Sequence, residues 1–331
     1  MTEYLAWKAS ETEYFGNFDE SSEELKKPWP KDAPYNLVET SYYGFAIPEH
    51  GINCEIYFWL HPVLGVTSGG ILCFQGIKGD PHEADYLNYY NYMPLPEGIT
   101  DVTYANGVQV RMIEPFKEFE IKYEDKARET SISLRSTAIM PPAFRPTGGH
   151  FTQAMKNKGT LVLRGQRYEI NSYFSRDRSW GDPRSEELLN IDPVGWHVAH
   201  FSDDLAFHVI AFDSDEERIV DSADSKRSKS NYIWGYVWKD GRLLGVKSCD
   251  KRTLRPEGQP YSTEYHLNIE DQDGEYHELI GRVVSRYPFP VWPNAGVTYS
   301  QTQWEYRGQV GYGDSQEGYY NDYVLSRLNR K

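Results

Sequence analysis

"RGQRYEINSYFSRDRSWGDPR", from Arg164 to Arg184, decides how the chain is read. Its first part alternates. Tyr168, Ile170, Ser172, Phe174 and Arg176 fall on one face of an extended strand, and Arg167, Glu169, Asn171, Tyr173, Ser175 and Asp177 on the other. The run then stops at Ser179-Trp180-Gly181-Asp182-Pro183, a turn cluster. Asp177, Arg178 and Trp180 therefore belong at a strand end. A guanidinium fork from Arg178 or Arg184 onto Asp177 is the structural expectation there, with Trp180 as a plug. Such pairing lowers a carboxyl pKa by about 1–3 units, which suits an orienting group or base better than an acid.

The same alternation extends both ways. "NCEIYFWLHP", "GGILCFQGI", "KEFEIKYED" and "ETSISLRSTAI" precede it, and "VGWHVAHFSDDLAFHVIAFDS", "SNYIWGYVWKDGRLLGVKSC" and "VTYSQTQWEYRGQVGYG" follow, with Gly, Pro, Asn or Asp between strands. Short links such as Lys239-Asp240-Gly241 read as hairpins. Three prolines and two glycines within "MPPAFRPTGGH" mark the strongest break. The expected organisation is a wrapping segment over 1–40, a β-barrel-like domain over 41–139, a linker over 140–149 and a β-barrel domain over 150–331. Only the tail, "GYYNDYVLSRLNRK", reads as helix. The expected fold is mostly β: two antiparallel barrels packed together, with a short C-terminal helix.

Composition narrows the partners. The 331 residues are 39% apolar and 25% charged, as in a globular protein. A formal charge of −14 repels phosphate backbones and anionic membranes, so neither nucleic acid nor membrane insertion is expected. The most apolar stretch, "IYFWLHPVLGVTSGGILCF", is broken by His61, Pro62 and Ser68-Gly69-Gly70, and reads as two strands and a turn. The amino-terminal residues show no secretory pattern, and Cys54, Cys73 and Cys249 lack CxxC spacing. Reduced thiols and a cytoplasmic location are the expectation. Aromatic residues reach 15%, including 26 tyrosines and nine tryptophans, enough to wall a cavity for a flat or greasy ligand.

Motif chemistry excludes several classes. Neither GxGxxG nor GxxxxGK[ST] occurs; the glycines of "GVTSGG" are assigned to a hairpin turn, and no GxSxG elbow is present. His197 and His200 in "GWHVAHF" sit three apart, so a strand points them to opposite faces, and no third ligand is recognisable; no metal site is expected. His208 in "LAFHVIAF" reads as a core or cavity histidine.

"GGHFTQAMKNKGTLVLRGQRYEINSYFSRDRSWGDPR", with "YIWGYVWKDG" and "YRGQVGYGDSQEG" further on, resembles the AttH-like and hydroxyneurosporene-synthase-like proteins, a two-domain, lipocalin-related family. The resemblance runs from about residue 40 to 320. It implies a cofactor-free enzyme acting on a hydrophobic terpenoid, polyketide or aromatic molecule in an aromatic cavity between two barrels. Hydration or dehydration (a lyase), isomerisation and cyclisation are the reactions it implies. Carried onto this chain, it suggests His150, Asp177, His197 and His200 as catalytic residues. Arg178, Trp180, Trp196, His208, Tyr236, Trp238 and Tyr306 are the suggested substrate contacts. One departure is Arg178, where many relatives carry histidine. A histidine, with a reference pKa of about 6.5, is the better proton-transfer group near neutrality. The rival class is a non-catalytic carrier with the same greasy pocket. A homodimer is a further expected partner state.

Overall fold

The computed structural model describes residues 13–24, 29–98, 100–181, 193–212, 232–292 and 295–328. Nineteen strands and a single short α-helix, α1 (Asn321–Leu328), account for most of them. The expected mostly-β class is what folds.

The first unit holds β1 (Glu39–Ile47), β2 (Ile52–His61), β3 (Val66–Gln75), β4 (Tyr86–Pro94), β5 (Asp101–Thr103), β6 (Gln109–Glu114), β7 (Glu118–Asp125), β8 (Thr130–Ala138), β9 (Ala143–Phe144), β10 (His150–Leu163) and β11 (Gln166–Ser179). They form one curled, half-barrel sheet in the order β4-β3-β2-β1-β11-β10-β8-β7-β6-β5, with β9 on β10. Its ladder does not close, since β4 and β5 end the path among the described residues. The inner face buries Phe45, Ile56, Phe58, Ile121, Leu134 and Leu161 among others, each at most 2% exposed. The second unit is a closed antiparallel barrel of β12 (Val194–Ser202), β13 (Leu205–Phe212), β14 (Tyr232–Lys239), β15 (Arg242–Leu254), β16 (Glu264–Asp271), β17 (Tyr276–Trp292), β18 (Ala295–Tyr306) and β19 (Gln309–Tyr320). Phe207, Val209, Leu267, Ile269, Leu279 and Trp304 fill its interior.

Turn chemistry explains the hairpins. Three two-residue links put both residues at positive φ: Arg164 and Gly165 (49° and 82°), Asp240 and Gly241 (50° and 75°), Arg307 and Gly308 (48° and 77°). That is the type I′ turn, whose twist matches the flanking strands. The "GVTSGG" glycines divide their work differently from the expectation. Gly65 serves the turn, whereas Gly69 and Gly70 lie inside β3 beside a register shift against β4. A Cβ on Gly70 would lie 1.7 Å from the Asn88 carbonyl oxygen, so the backbones could not approach.

Four expectations are corrected. Residues 140–149 are no linker: Phe144 and Ala143 pair with Phe151 and Thr152, and Gln153 Nε2 donates to the Met140 and Phe116 carbonyls. The compact units divide at Ser185/Glu186, and Ile77–His82 belongs to the second unit. β10 and β11 join the first sheet because β11 pairs with β1 and β10 with β8. Cys54 and Cys73 face each other across β2 and β3 with Cα atoms 4.2 Å apart and form a disulfide, leaving Cys249 as the free thiol. Finally, the predicted C-terminal helix starts only at Asn321, because Gly318–Tyr320 complete β19. The basic run at 226–229 lies outside the described residues.

Candidate functional site

The opening motif ends β11 in the first unit. Arg176 Nη1 donates to Glu23 Oε2 at 2.9 Å and Nη2 to Glu23 Oε1, while Gln153 Oε1 accepts from Nε and Nη2 at 3.1 and 2.7 Å. Arg178 shares that face. It donates to the Ser22 and Glu24 carbonyls and, at 3.1 Å, to Glu39 Oε2, whose partner oxygen takes the Trp29 indole N–H. The expected Arg178–Asp177 fork is therefore replaced by two buried ties onto Glu23 and Glu39. Strand alternation sends Asp177 to the opposite face, in register with Tyr42 and Thr152. Arg184, the other expected partner, lies outside the described residues. His150 stands opposite Ser179 and is 4% exposed; Nδ1 meets Ser179 Oγ at 2.8 Å and Nε2 meets Thr152 Oγ1 at 3.1 Å. Trp180 packs 6.3 Å from Phe151.

The remaining expected residues lie in the second unit, on both faces of its wall. His197 and Tyr306 point into the barrel: the His197 ring is 4.4 Å from Tyr265, and Tyr306 packs on Phe201 and Phe207. Trp196, His200, His208, Tyr236 and Trp238 share the outer side of β12, β13 and β14. Cross-strand register assembles them. His208 pairs with Val198 and Tyr236, Trp196 with Ile210, which pairs with Trp234, and His200 with Ala206, which pairs with Trp238. His208 sits at the centre, its ring 4.5 Å from Trp196, 5.6 Å from Trp234 and 5.3 Å from Tyr236. Outward though it points, His208 is fully buried, as is Tyr236.

Protonation states follow from the contacts. His208 Nδ1 lies 3.1 Å from the His197 carbonyl oxygen. A carbonyl only accepts, so Nδ1 carries the hydrogen and Nε2 is the nitrogen able to take up a proton. His200 is different. Burial pushes its pKa down to about 3, against a backbone bond at Tyr312 that acts the other way, so it is neutral at physiological pH.

The row through His208 continues round the wall and brings in residues that the sequence reading missed. Ser285 pairs with Gln301, Gln301 with Asp314, and the flanking pairs Trp196–Gln316 and His200–Tyr312 place Asp314 opposite Val198, whose other neighbour is His208. Ser285, Gln301 and Asp314 are at most 1% exposed. Ser285 Oγ and both amide atoms of Gln301 have no hydrogen-bond partner among the described residues. A buried amide left with neither bond costs several kcal/mol by transfer, on the order of 2–7. The row thus presents a carboxyl, an imidazole and an unsatisfied amide within one aromatic wall. The available signal was the alternation of "VGYGDSQEG", which places Tyr312, Asp314 and Gln316 on one face.

Among the described residues one cluster has metal-ligand atoms close together. Asp271, Glu275 and His277 bring theirs within 4.8 Å of one another. Every donor is already engaged: Asp271 Oδ2 with His277 Nε2, Asp271 Oδ1 with two backbone N–H groups, His277 Nδ1 with Tyr306 Oη, and Glu275 with Lys239 and Arg307. Two adjacent cations and a saturated donor set fit a hydrogen-bonded barrel plug better than an ion.

Comparison with known proteins bears on the fold. The profile of a domain of unknown function, DUF7064, matches residues 19–320. Compared by sequence with curated proteins, the chain matches none. Among solved structures, a candidate AttH from Nitrosomonas europaea is similar at 13% identity and a TM-score of 0.52, over 88% of this chain and 97% of that one. Kievitone hydratase from Nectria haematococca is similar at 10% identity and a TM-score of 0.53, over 87% of this chain and 90% of its own. The AttH-like resemblance read from the sequence stands, and at these identities it establishes the fold.

Proposed function

The chain belongs to the DUF7064 family, and from that premise we propose that it is a hydratase-type enzyme acting on a hydrophobic, alkene-bearing small molecule at the outer row of the second barrel. One observation carries the reading: Gln301, Asp314 and His208 lie in one buried row among aromatic rings, with the Gln301 amide unsatisfied. Kievitone hydratase, which shares the fold, supports the reaction class.

Asp314 and His208 stand two strands apart, roughly 10 Å between Cα atoms at about 4.8 Å per strand. That spacing leaves room for a reacting carbon and a water. In the forward direction the Asp314 carboxyl gives its proton to one alkene carbon. The cation left on the other carbon is held against the faces of Trp196, Trp234 and Tyr236. Water adds to it, and His208 Nε2 takes the water's second proton. Protons and oxygen balance with water as the sole co-reactant once the proton on His208 returns to Asp314 through solvent, so no cofactor is required by the reaction as written. Gln301 orients a polar group of the substrate. His200, neutral in this setting, and Trp238 shape the wall. In the first unit Arg178 and Trp180 act as structural ties, and His150 and Asp177 are not assigned to the chemistry.

The test is incubation of the protein with kievitone and a panel of prenylated and terpenoid alkenes, with mass spectrometry for the gain of one water and for heavy oxygen from labelled water. Asp314→Asn and His208→Gln should each lower turnover by about a hundredfold or more. Turnover unchanged in both variants would refute the assignment. Saturable binding without product would make the protein a carrier. A product of unchanged mass would make it an isomerase or cyclase.

A further inference from the structure

The inner face of the same barrel carries a second polar row that the hydration chemistry does not use. Arg286 pairs with Ser300, Ser300 with Ser315, and Ser315 with His197. Ser300 shares its side of β18 with Thr302, which bonds Ser315 Oγ at 2.9 Å, and with the core residue Trp304. The row therefore looks into the barrel. The four groups are a guanidinium, two hydroxyls and an imidazole, all at most 6% exposed.

Arg286 is poorly satisfied for so buried a cation. Among the described residues its side chain makes one long bond, Nη1 to the Ser262 carbonyl at 3.3 Å, and lies over the Tyr261 ring at 5.0 Å. Its Nε has no acceptor among the described residues, and burial lowers its pKa. Glu317, the carboxylate that acts on it, is already taken by Arg255 Nη2 at 2.6 Å, by Ser262 Oγ and by Tyr265 Oη at 3.3 Å. Ser300 Oγ and the Trp304 indole N–H also have no partner among the described residues, and both residues are fully buried. Lys251, with no exposed surface, stands 3.9 Å from the same Glu317. The Lys251 ammonium and the His197 ring pack against the bare Cα of Gly195: a Cβ there would lie 2.5 Å from Lys251 Nζ and 2.3 Å from His197 Nε2.

A buried guanidinium without its own carboxylate is strongly unfavourable, and a bidentate anion is its natural complement. We propose that the barrel interior binds the carboxylate of a small aromatic or aliphatic acid, held by Arg286 as a fork and by the Ser300 hydroxyl. The Trp304 and Tyr261 rings would lie along its apolar body. This site is separate from the outer row and does not rest on the hydratase reading.

Phenylacetate and its uncharged analogue phenylacetamide are suitable probes, titrated into the full chain by calorimetry and by tryptophan fluorescence. Phenylacetate should bind at least tenfold more tightly than the amide, the scale of a charge-assisted pair, about tenfold or more. Arg286→Gln should erase that preference. Arg286→Lys, which keeps the charge and loses the fork, should weaken phenylacetate about tenfold while melting near the wild-type temperature. Ser300→Ala, a smaller change, should reduce affinity severalfold in the same direction. Equal affinities for acid and amide in the wild-type chain, no binding of either, or an Arg286→Lys chain that binds phenylacetate unchanged would each overturn the proposal. Hydration of an alkene by an Arg286→Lys chain at the wild-type rate would leave the two sites distinct. Loss of hydration in that chain would overturn the separation of the two sites, whereas a wild-type chain that prefers acid over amide yet hydrates no alkene would count against the outer row alone.

Discussion

Glu23→Gln probes the tie that replaced the expected clamp. Glu23 and Arg176 are 2% and 1% exposed, and the carboxylate accepts two guanidinium bonds together with the Phe116 backbone N–H at 2.7 Å. The guanidinium is sandwiched by Phe151, Phe119 and Phe116 at 5.1, 5.5 and 6.0 Å, so water cannot take over. A glutamine keeps the shape, gives up one acceptor and turns an N–H₂ towards an N–H donor. Breaking a buried pair from one side costs about 3–5 kcal/mol. For a unit of this size that is a fall in Tm of about 6–20 °C. Urea unfolding followed by fluorescence and circular dichroism would measure it, in a cycle with Arg176→Met and the double variant Glu23→Gln/Arg176→Met. The double variant should recover about 2 kcal/mol or more relative to the sum of the singles. A Glu23→Gln chain within about 0.5 kcal/mol of wild type, or a strictly additive cycle, would show that the pair is not what ties the amino-terminal turn to the sheet.

His200 should stay neutral on acidification. Its folded pKa of about 3 lies below the ordinary 6.5, so the unfolded chain binds the proton first and stability falls as pH drops from 6.5 towards 3; His200→Phe should flatten that part of a stability–pH profile. Alkylation of the denatured, unreduced chain should label Cys249 alone, and prior reduction should add Cys54 and Cys73. Gly313→Ala should destabilise the seam of β12 and β19 by about 3 kcal/mol or more, since its Cβ would lie 1.8 Å from the Val198 carbonyl oxygen; an unchanged urea midpoint would refute this.

What could be read from residues alone was local. Alternation marked the strands, and pairs such as Asp240-Gly241 marked their turns, because side-chain period and turn dihedrals depend on neighbours in sequence. The division of the chain was misread because Pro141, Pro142 and Pro146 look like a linker, whereas β9 lays part of that segment along β10. Arg178 was recognised as an ion-pairing residue and Arg176 only as a strand residue, and their partners Glu39 and Glu23 lie 139 and 153 residues away. The site suffers most from this distance. Trp196, His208 and Tyr236 belong to adjacent strands and were legible as a group. Asp314 and Gln301 join them only through closure of the barrel, which no short window of sequence displays. His277, which bonds Tyr306 and Asp271 inside the barrel, was missed for the same reason.

The short segment Ile77–His82 has a consequence for synthesis. It is spliced into the sequence of the first unit yet belongs to the second, where Ile77 bridges Arg286 and the Tyr287 hydroxyl donates to the Pro81 carbonyl, 206 residues along. A ribosome delivers this strap long before the strand that receives it exists. Neither half of the gene is then a self-sufficient cassette. A clone beginning at Glu186 would make a barrel without its strap, and one ending at Ser185 would leave the strap with nowhere to dock.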